Sequence, residues 1–235
     1  MLEVRNLVKK YGKIVAVKDV GFSLENGTVG ILLGPNGAGK STIIKSIAGL
    51  LRFTGDVRIE GMPARDVNAK RVFAYVPEIP AMFEMLTVRE HMNYVKQAYA
   101  LDVTEEEIDA LLERFELRDK QDKLGNELSK GMMQKVSICC ALLIKPRVIL
   151  FDEPMVGLDP MAIKELKNVI GELKSDGVTV LISTHMLEMV EELWDVMFVM
   201  EEGTIIGEYT KEDAKGKALD ELFFGITGGE EQWRA

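Results

Sequence analysis

Hydrophobic and polar positions divide the chain into stretches of different period. Residues 2–8 and 14–24 are rich in β-branched and bulky side chains, punctuated by Gly12 and Gly21, and predict strands. Val29 to Leu33 is a short apolar run and predicts a third. The period then becomes helical, with Ile43, Ile44, Ile47, Ala48 and Leu51 on one stripe. Thr54-Gly55-Asp56 reads as a turn into a short strand begun by Val57 and Ile59, which Gly61-Met62-Pro63 ends. Val72 to Val76 is the next strand, stopped by Pro77.

From Ile79 to Leu143 strand alternation gives way to helical periodicity. Thr104 and Glu107 form a capping box ahead of the apolar stripe Ile108, Leu111, Leu112 and Phe115. The start of this stretch, Ile79 to Leu86, is unusually apolar, and two readings stand: ordinary core, or a docking surface for a partner. Buried-type strands return at Val148–Phe151 and Val178–Ile182, separated by a helix with Ile163, Leu166, Ile170 and Leu173 on one face. A helix carrying Leu187, Val190 and Leu193 follows, then a hairpin of Val196–Met200 and Gly203–Ile206. Strand and helix alternate as in a mainly parallel sheet with helices on both faces. From Thr210 onward the chain is polar and ends Gly-rich, and it predicts no element.

Composition narrows the class. At 235 residues and 47% hydrophobic, the chain can bury one large core with an inserted subdomain. A net charge of -9 argues against nonspecific nucleic-acid binding, which needs clustered Lys and Arg. The adjacent Cys139 and Cys140 cannot staple a fold, which points to the cytosol; packing on a buried helix face and a reactive pair are both open to them. Glu3, Arg5, Lys9 and Lys10 interrupt any apolar leader. The longest apolar candidate, Val136 to Ile144, is half the roughly 18 residues that cross a bilayer. In a membrane process another chain would do the spanning.

The chemistry centres on Gly34-Pro35-Asn36-Gly37-Ala38-Gly39-Lys40-Ser41-Thr42, which fits G-x-x-x-x-G-K-[ST] at every fixed position. Its glycines let consecutive N–H groups turn inward onto a phosphate, and the following helix adds its positive end. Lys40 would reach the β- and γ-phosphates of a nucleotide and Ser41 would ligate Mg²⁺. Asp152, at the carboxyl end of a buried strand, suits a metal, since a buried carboxylate without a cation is costly. Glu153 beside it is a candidate general base. Asp159 before Pro160 is equally a turn residue.

These motifs, taken in order, resemble the nucleotide-binding subunit of ATP-binding cassette (ABC) transporters along nearly the whole chain. Gly34 to Thr42 resembles the Walker A loop, Val148 to Asp152 the Walker B strand, and Gly157-Leu158-Asp159-Pro160 the D-loop. Leu128-Ser129-Lys130-Gly131-Met132 is similar to the signature Leu-Ser-Gly-Gly-Gln, with Lys130 and Met132 as departures. Glu78 stands where the family usually has glutamine. The resemblance implies one P-loop NTPase domain over 1–235, with core 1–77 and 146–210, an N-terminal antiparallel β-subdomain, a helical subdomain 78–145 and a tail 211–235. It implies Tyr11 stacked on adenine, Ser129, Gly131 and Asp159 at a nucleotide shared between two chains, His185 at the γ-phosphate, and Glu78 with Ser41 and Asp152 at Mg²⁺. Lys130 would point to solvent or add charge near the phosphates. The implied role is ATP hydrolysis driving an exporter, peripheral on the cytoplasmic face, with separate permease chains and a like or related ATPase partner. A soluble relative, such as an iron–sulfur cluster-assembly ATPase, is the alternative.

Overall fold

The computed structural model describes residues 1–186 and 190–213. The opening strands, β1 (Leu2–Tyr11) and β2 (Ile14–Leu24), pair antiparallel. They form one sheet with β4 (Thr54–Ile59) and the two-residue β5 (Met62–Pro63), in the order β2-β1-β4-β5. Met62 and Pro63 thus do not merely end a strand: they fold back on Ile59 and Arg58 as its hairpin partner. A one-turn-and-more helix, α2 (Val67–Arg71), follows, capped by the Asp66 carboxylate on the Asn68 N–H.

The second sheet has the order β10-β9-β3-β8-β7-β6. It contains β3 (Val29–Leu33), β6 (Phe73–Val76), β7 (Val148–Asp152), β8 (Thr179–Thr184), β9 (Val196–Glu201) and β10 (Thr204–Thr210). Neighbours from β9 to β6 run parallel, and only β10 returns antiparallel at the edge. The fold is the α/β arrangement expected, with an antiparallel N-terminal sheet beside a mainly parallel one.

Burial on both faces explains the unbroken apolar runs of these strands. In β7, Val148 and Leu150 pack toward α1 (Lys40–Ile47) and the antiparallel sheet, while Ile149 and Phe151 face the other helices. Asp152 continues the first phase, which aims its carboxylate at α1. Helix α1 closes at Ala48, so Leu51 lies past its end, outside the stripe predicted for it.

Between β6 and β7 run α3 (Val88–Ala98), α4 (Glu105–Arg114) and α5 (Lys130–Leu143). The Thr104–Glu107 capping box forms, and a second, Thr87–Glu90, opens α3. Helix α6 (Pro160–Ser175) buries Leu166, Val169 and Ile170 on the sheet, with Ile163 and Leu173 half-buried beside them. Arg114, at the end of α4, ties the helical layer to α6 through Glu165 and a two-pronged pair with Glu172. Of the helix expected around Leu187, that residue lies outside the described residues, and Val190 and Leu193 sit in turns.

Candidate functional site

The phosphate loop lies between β3 and α1 and closes on its own lysine. Lys40 Nζ donates to Gly34 O at 2.7 Å and Pro35 O at 3.2 Å, and pairs with Glu153 Oε1 at 3.5 Å. Burial pushes the Lys40 ammonium below its ordinary pKa, with the Glu153 carboxylate pulling the other way. Two loop glycines are dictated by space: a Cβ on Gly34 would stand 2.5 Å from Met200 O, and one on Gly39, at φ 103°, would stand 2.9 Å from Ala16 O.

Asp152 is fully buried. Its Oδ1 accepts from Ser41 Oγ at 2.8 Å and from Ser183 Oγ at 2.6 Å, whereas Oδ2 has no hydrogen-bond partner. An orphaned carboxylate oxygen beside a hydroxyl that ligates readily is a donor set suited to a hard divalent cation such as Mg²⁺. Ser183 was not foreseen as part of this site. Its place follows from the register of β7 on β8, which sets Asp152 opposite Ser183, and the sequence offers only its nearness to His185 as a signal.

Glu153 leaves the strand in the left-handed region, at φ 47°, which is uncommon for a residue with a side chain. Its N–H donates to Ser183 O at 3.1 Å and to Ser183 Oγ at 3.3 Å. The turn brings its carboxylate over Lys40, and His185 Nδ1 lies 3.1 Å from Oε1. Lys40, Ser41, Glu78, Glu153 and His185 then line one cavity of about 290 Å³ with Pro35, Asn36, Gly37, Gly39 and Thr42. Gly34 and Ala38 support it from behind, Gly34 through the Lys40 bond and Ala38 as a buried methyl.

Asp152 reaches that lining only through Ser41, and Tyr11, Ser129, Gly131 and Asp159 lie outside it. Tyr11 ends β1 half-exposed, with Lys9 Nζ 4.6 Å from its ring centroid. Ser129 is exposed and caps α5 by accepting from Met132 N at 3.3 Å. Gly131 follows in the first turn of α5, where a Cβ would stand 2.6 Å from Gly157 O. Asp159 caps α6 through Ala162 N at 2.9 Å and pairs with the buried Lys135 at 2.9 Å, which holds its carboxyl below the usual range. Lys130 is exposed, but its stem lies across Gly157 rather than extending freely, within 3.6 Å of where a Cβ there would be. Met132 packs half-buried on the apolar core, a position suited to its thioether and not to an amide.

Of the cysteines, Cys139 is buried and Cys140 lines an apolar groove. Burial pushes the Cys140 thiol up to about 12 and Cys139 well above its ordinary value, so neither has thiolate character and both act as packing groups.

A phosphate loop at the carboxyl ends of parallel strands, with a strand-end Asp–Glu pair and a histidine closing on it, defines a P-loop nucleotide hydrolase. Residues 17–156 match the family model described as "ABC transporter", and the chain belongs to that family. It is 36% identical to the ABC-type transporter ATP-binding protein EcsA of Bacillus subtilis (strain 168), over 97% of this chain and 96% of that protein. It is 37% identical to the lantibiotic transport ATP-binding protein SrtF of Streptococcus pyogenes, over 95% and 96%. Among solved structures, an ATP-binding subunit of an ABC transporter superposes with a TM-score of 0.89 at 37% identity, covering 97% of this chain and 99% of that one. A dimeric cassette in a post-hydrolysis state with ADP and Pi superposes at 0.77 and 26% identity, covering 89% and 98%. The protein is an ATP-binding, ATP-hydrolysing subunit that powers a membrane transporter. These relatives lend no support to the cluster-assembly alternative. No helix among the described residues is long and apolar enough to cross a membrane.

Proposed function

We propose that this cassette works as one of a pair, clasping Mg-ATP between its phosphate loop and the Ser129–Gly131 turn of the other subunit, to drive an exporter with separate membrane-spanning chains. One observation carries the reading. The phosphate loop, Glu153 and His185 converge on one cavity, with Asp152 hydrogen-bonded to its Ser41, while the N-terminus of α5 presents Ser129 at the surface, outside that lining. The signature turn of one chain is therefore free to close the site of another, at a helix N-terminus suited to phosphate. The dimeric cassette relative supports the same pairing. Export, named for the SkfA peptide export ATP-binding protein SkfE of Bacillus subtilis (strain 168), 34% identical over 88% of this chain and 87% of that protein, supports export as the direction.

Within the site, Lys40 neutralises the transferring phosphoryl group and Glu153 takes the proton of the attacking water. Here Lys40 holds Glu153, so an arriving γ-phosphate competes for the ammonium and releases the base toward His185. Ser41 and Asp152 would hold Mg²⁺, and Glu78 at the cavity wall would add an oxygen donor. The ion, when bound, offsets phosphate charge. Asp159, tied to Lys135, fixes the D-loop against α5 at the edge of the paired site, and Tyr11 offers a face for adenine. The whole chain acts as one cassette, with residues 78–145 as its helical subdomain, peripheral on the cytoplasmic face.

The permease would dock in an apolar groove of about 490 Å³ walled by Phe73, Tyr75, Met82, Phe83, Tyr94 and Ile144. His91 shapes it: Nε2 accepts from Phe83 N at 2.9 Å, so Nδ1 carries the proton donated to Thr87 O at 2.7 Å. Phe83 and Met85 remain 52% and 73% exposed, too much for an ordinary core segment. Polar replacement of Met82, Phe83 and Met85 is expected to abolish co-purification with a membrane subunit while ATP binding persists. Unchanged co-purification would reject this docking site.

A further inference from the structure

Among the described residues, Tyr75 is one of a few with a buried side-chain polar atom that lacks a hydrogen-bond partner. It lies on β6, where its Cα pairs with Leu150 of β7, so Tyr75 and Asp152 share the α1 face of the sheet two residues apart in register. Its ring forms part of the groove wall beside Phe73. Its hydroxyl oxygen is buried without a hydrogen-bond partner, and so is Asp152 Oδ2. Native cores rarely tolerate either, and two on one face of adjoining strands are not independent accidents. Burial, then the negative charges of Asp152 and Glu78, then the approach of the hydroxyl to the Asp152 carboxyl, which falls short of hydrogen-bond geometry, raise the Tyr75 pKa, so the group is a hydroxyl able to donate. Phenylalanine would fill the same wall without this cost, as Phe73 does one pleat away.

We propose that Tyr75 is a positioning residue for the metal-holding carboxylate: its hydroxyl donates to Asp152, or to a water on the ion, when the cation is bound. The inference rests on the reading of Ser41 and Asp152 as the Mg²⁺ site. With the cation bound, the hydroxyl orients the carboxylate. One side chain then touches both the docking groove and the metal site.

Mn²⁺ binding to the full chain with saturating ADP, followed by the loss of the free-ion paramagnetic resonance signal, tests this. Tyr75→Phe is expected to weaken Mn²⁺ about tenfold, the scale of a hydrogen bond to a charged group, with ADP affinity in chelator unchanged. Without metal its melting temperature should equal or exceed the parent's, since an unpaired hydroxyl is lost. A structural role would instead lower that temperature and leave Mn²⁺ affinity alone. Asp152→Asn serves as the reference. If it abolishes Mn²⁺ binding and Tyr75→Phe does not weaken it, the Tyr75 proposal fails. If Asp152→Asn leaves binding intact, the metal reading itself fails and takes the proposal with it.

Discussion

Ser183 gives the sharpest energetic prediction, because the same substitution can be made at a matched position with a neutral partner. Ser183 and Ser46 are both fully buried. Ser46 Oγ donates to a neutral carbonyl, Thr42 O, at 2.7 Å, whereas Ser183 Oγ donates to the Asp152 carboxylate at 2.6 Å. A net hydrogen bond to a neutral group contributes about 1 kcal/mol and one to a charged group about 1.5–3 kcal/mol. Ser46→Ala also regains up to about 0.5 kcal/mol of helix propensity, so its net loss should stay near 0.5 kcal/mol. Ser183→Ala leaves Asp152 with Ser41 alone, while the Glu153 N–H keeps Ser183 O, so the loss is close to that of the single charged bond, about 2 kcal/mol. For a chain of this length about 2–4 °C accompanies each kcal/mol, which places Ser183→Ala about 4–8 °C below the parent. Thermal and urea unfolding at pH 7 without nucleotide would measure both variants. Equal losses at the two serines would refute the assignment of Ser183 as a partner of a buried charged carboxylate.

Two further outcomes follow from the contacts of α5. A methyl on Gly131 meets the Gly157 carbonyl at 2.6 Å, so Gly131→Ala should cost about 1–3 kcal/mol through displacement of the signature turn or the D-loop, despite alanine's better helix propensity; an unchanged urea midpoint would count against the close approach. Lys135 and the Ala162 N–H hold the Asp159 carboxyl below the usual range. The stability this confers is present above the unfolded pKa near 4 and is lost as the pH falls through the lower folded value. Lys135→Met should therefore lower stability at pH 6 and narrow the difference between pH 6 and pH 3, and a difference of parental size would contradict the pairing.

Contiguity decided how much could be read from the chain. The phosphate loop, the Asp152–Glu153 pair and the Thr104 capping box are each written within a few residues, and local backbone rules carry them into structure unchanged. The strands of the parallel sheet were equally plain, since burial on both faces leaves uninterrupted apolar runs at Val29–Leu33 and Val148–Phe151. Ser183 and Lys135 were not legible, because each is defined by a partner far along the chain that only strand register or helix docking supplies. Met62–Pro63 and α2 were missed for a different reason: a two-residue strand and a five-residue helix are too short to impose a period. The apolar stretch from Ile79 was ambiguous in sequence because groove walls and cores use the same side chains. Exposure separates them, with Ile79 and Met85 largely in solvent while Pro80 is buried.

Two cassettes that close on ATP should reveal themselves in the solution mass of Glu153→Gln, measured by light scattering with and without Mg-ATP. Removing the base leaves the phosphate cradle of Lys40 and Ser41 intact and stops hydrolysis, so the closed pair should accumulate. The expected result is a monomer without nucleotide, a doubled mass with Mg-ATP, and no doubling when Ser129→Arg is added. A Glu153→Gln chain that binds ATP yet keeps the monomer mass at all ATP concentrations would contradict it.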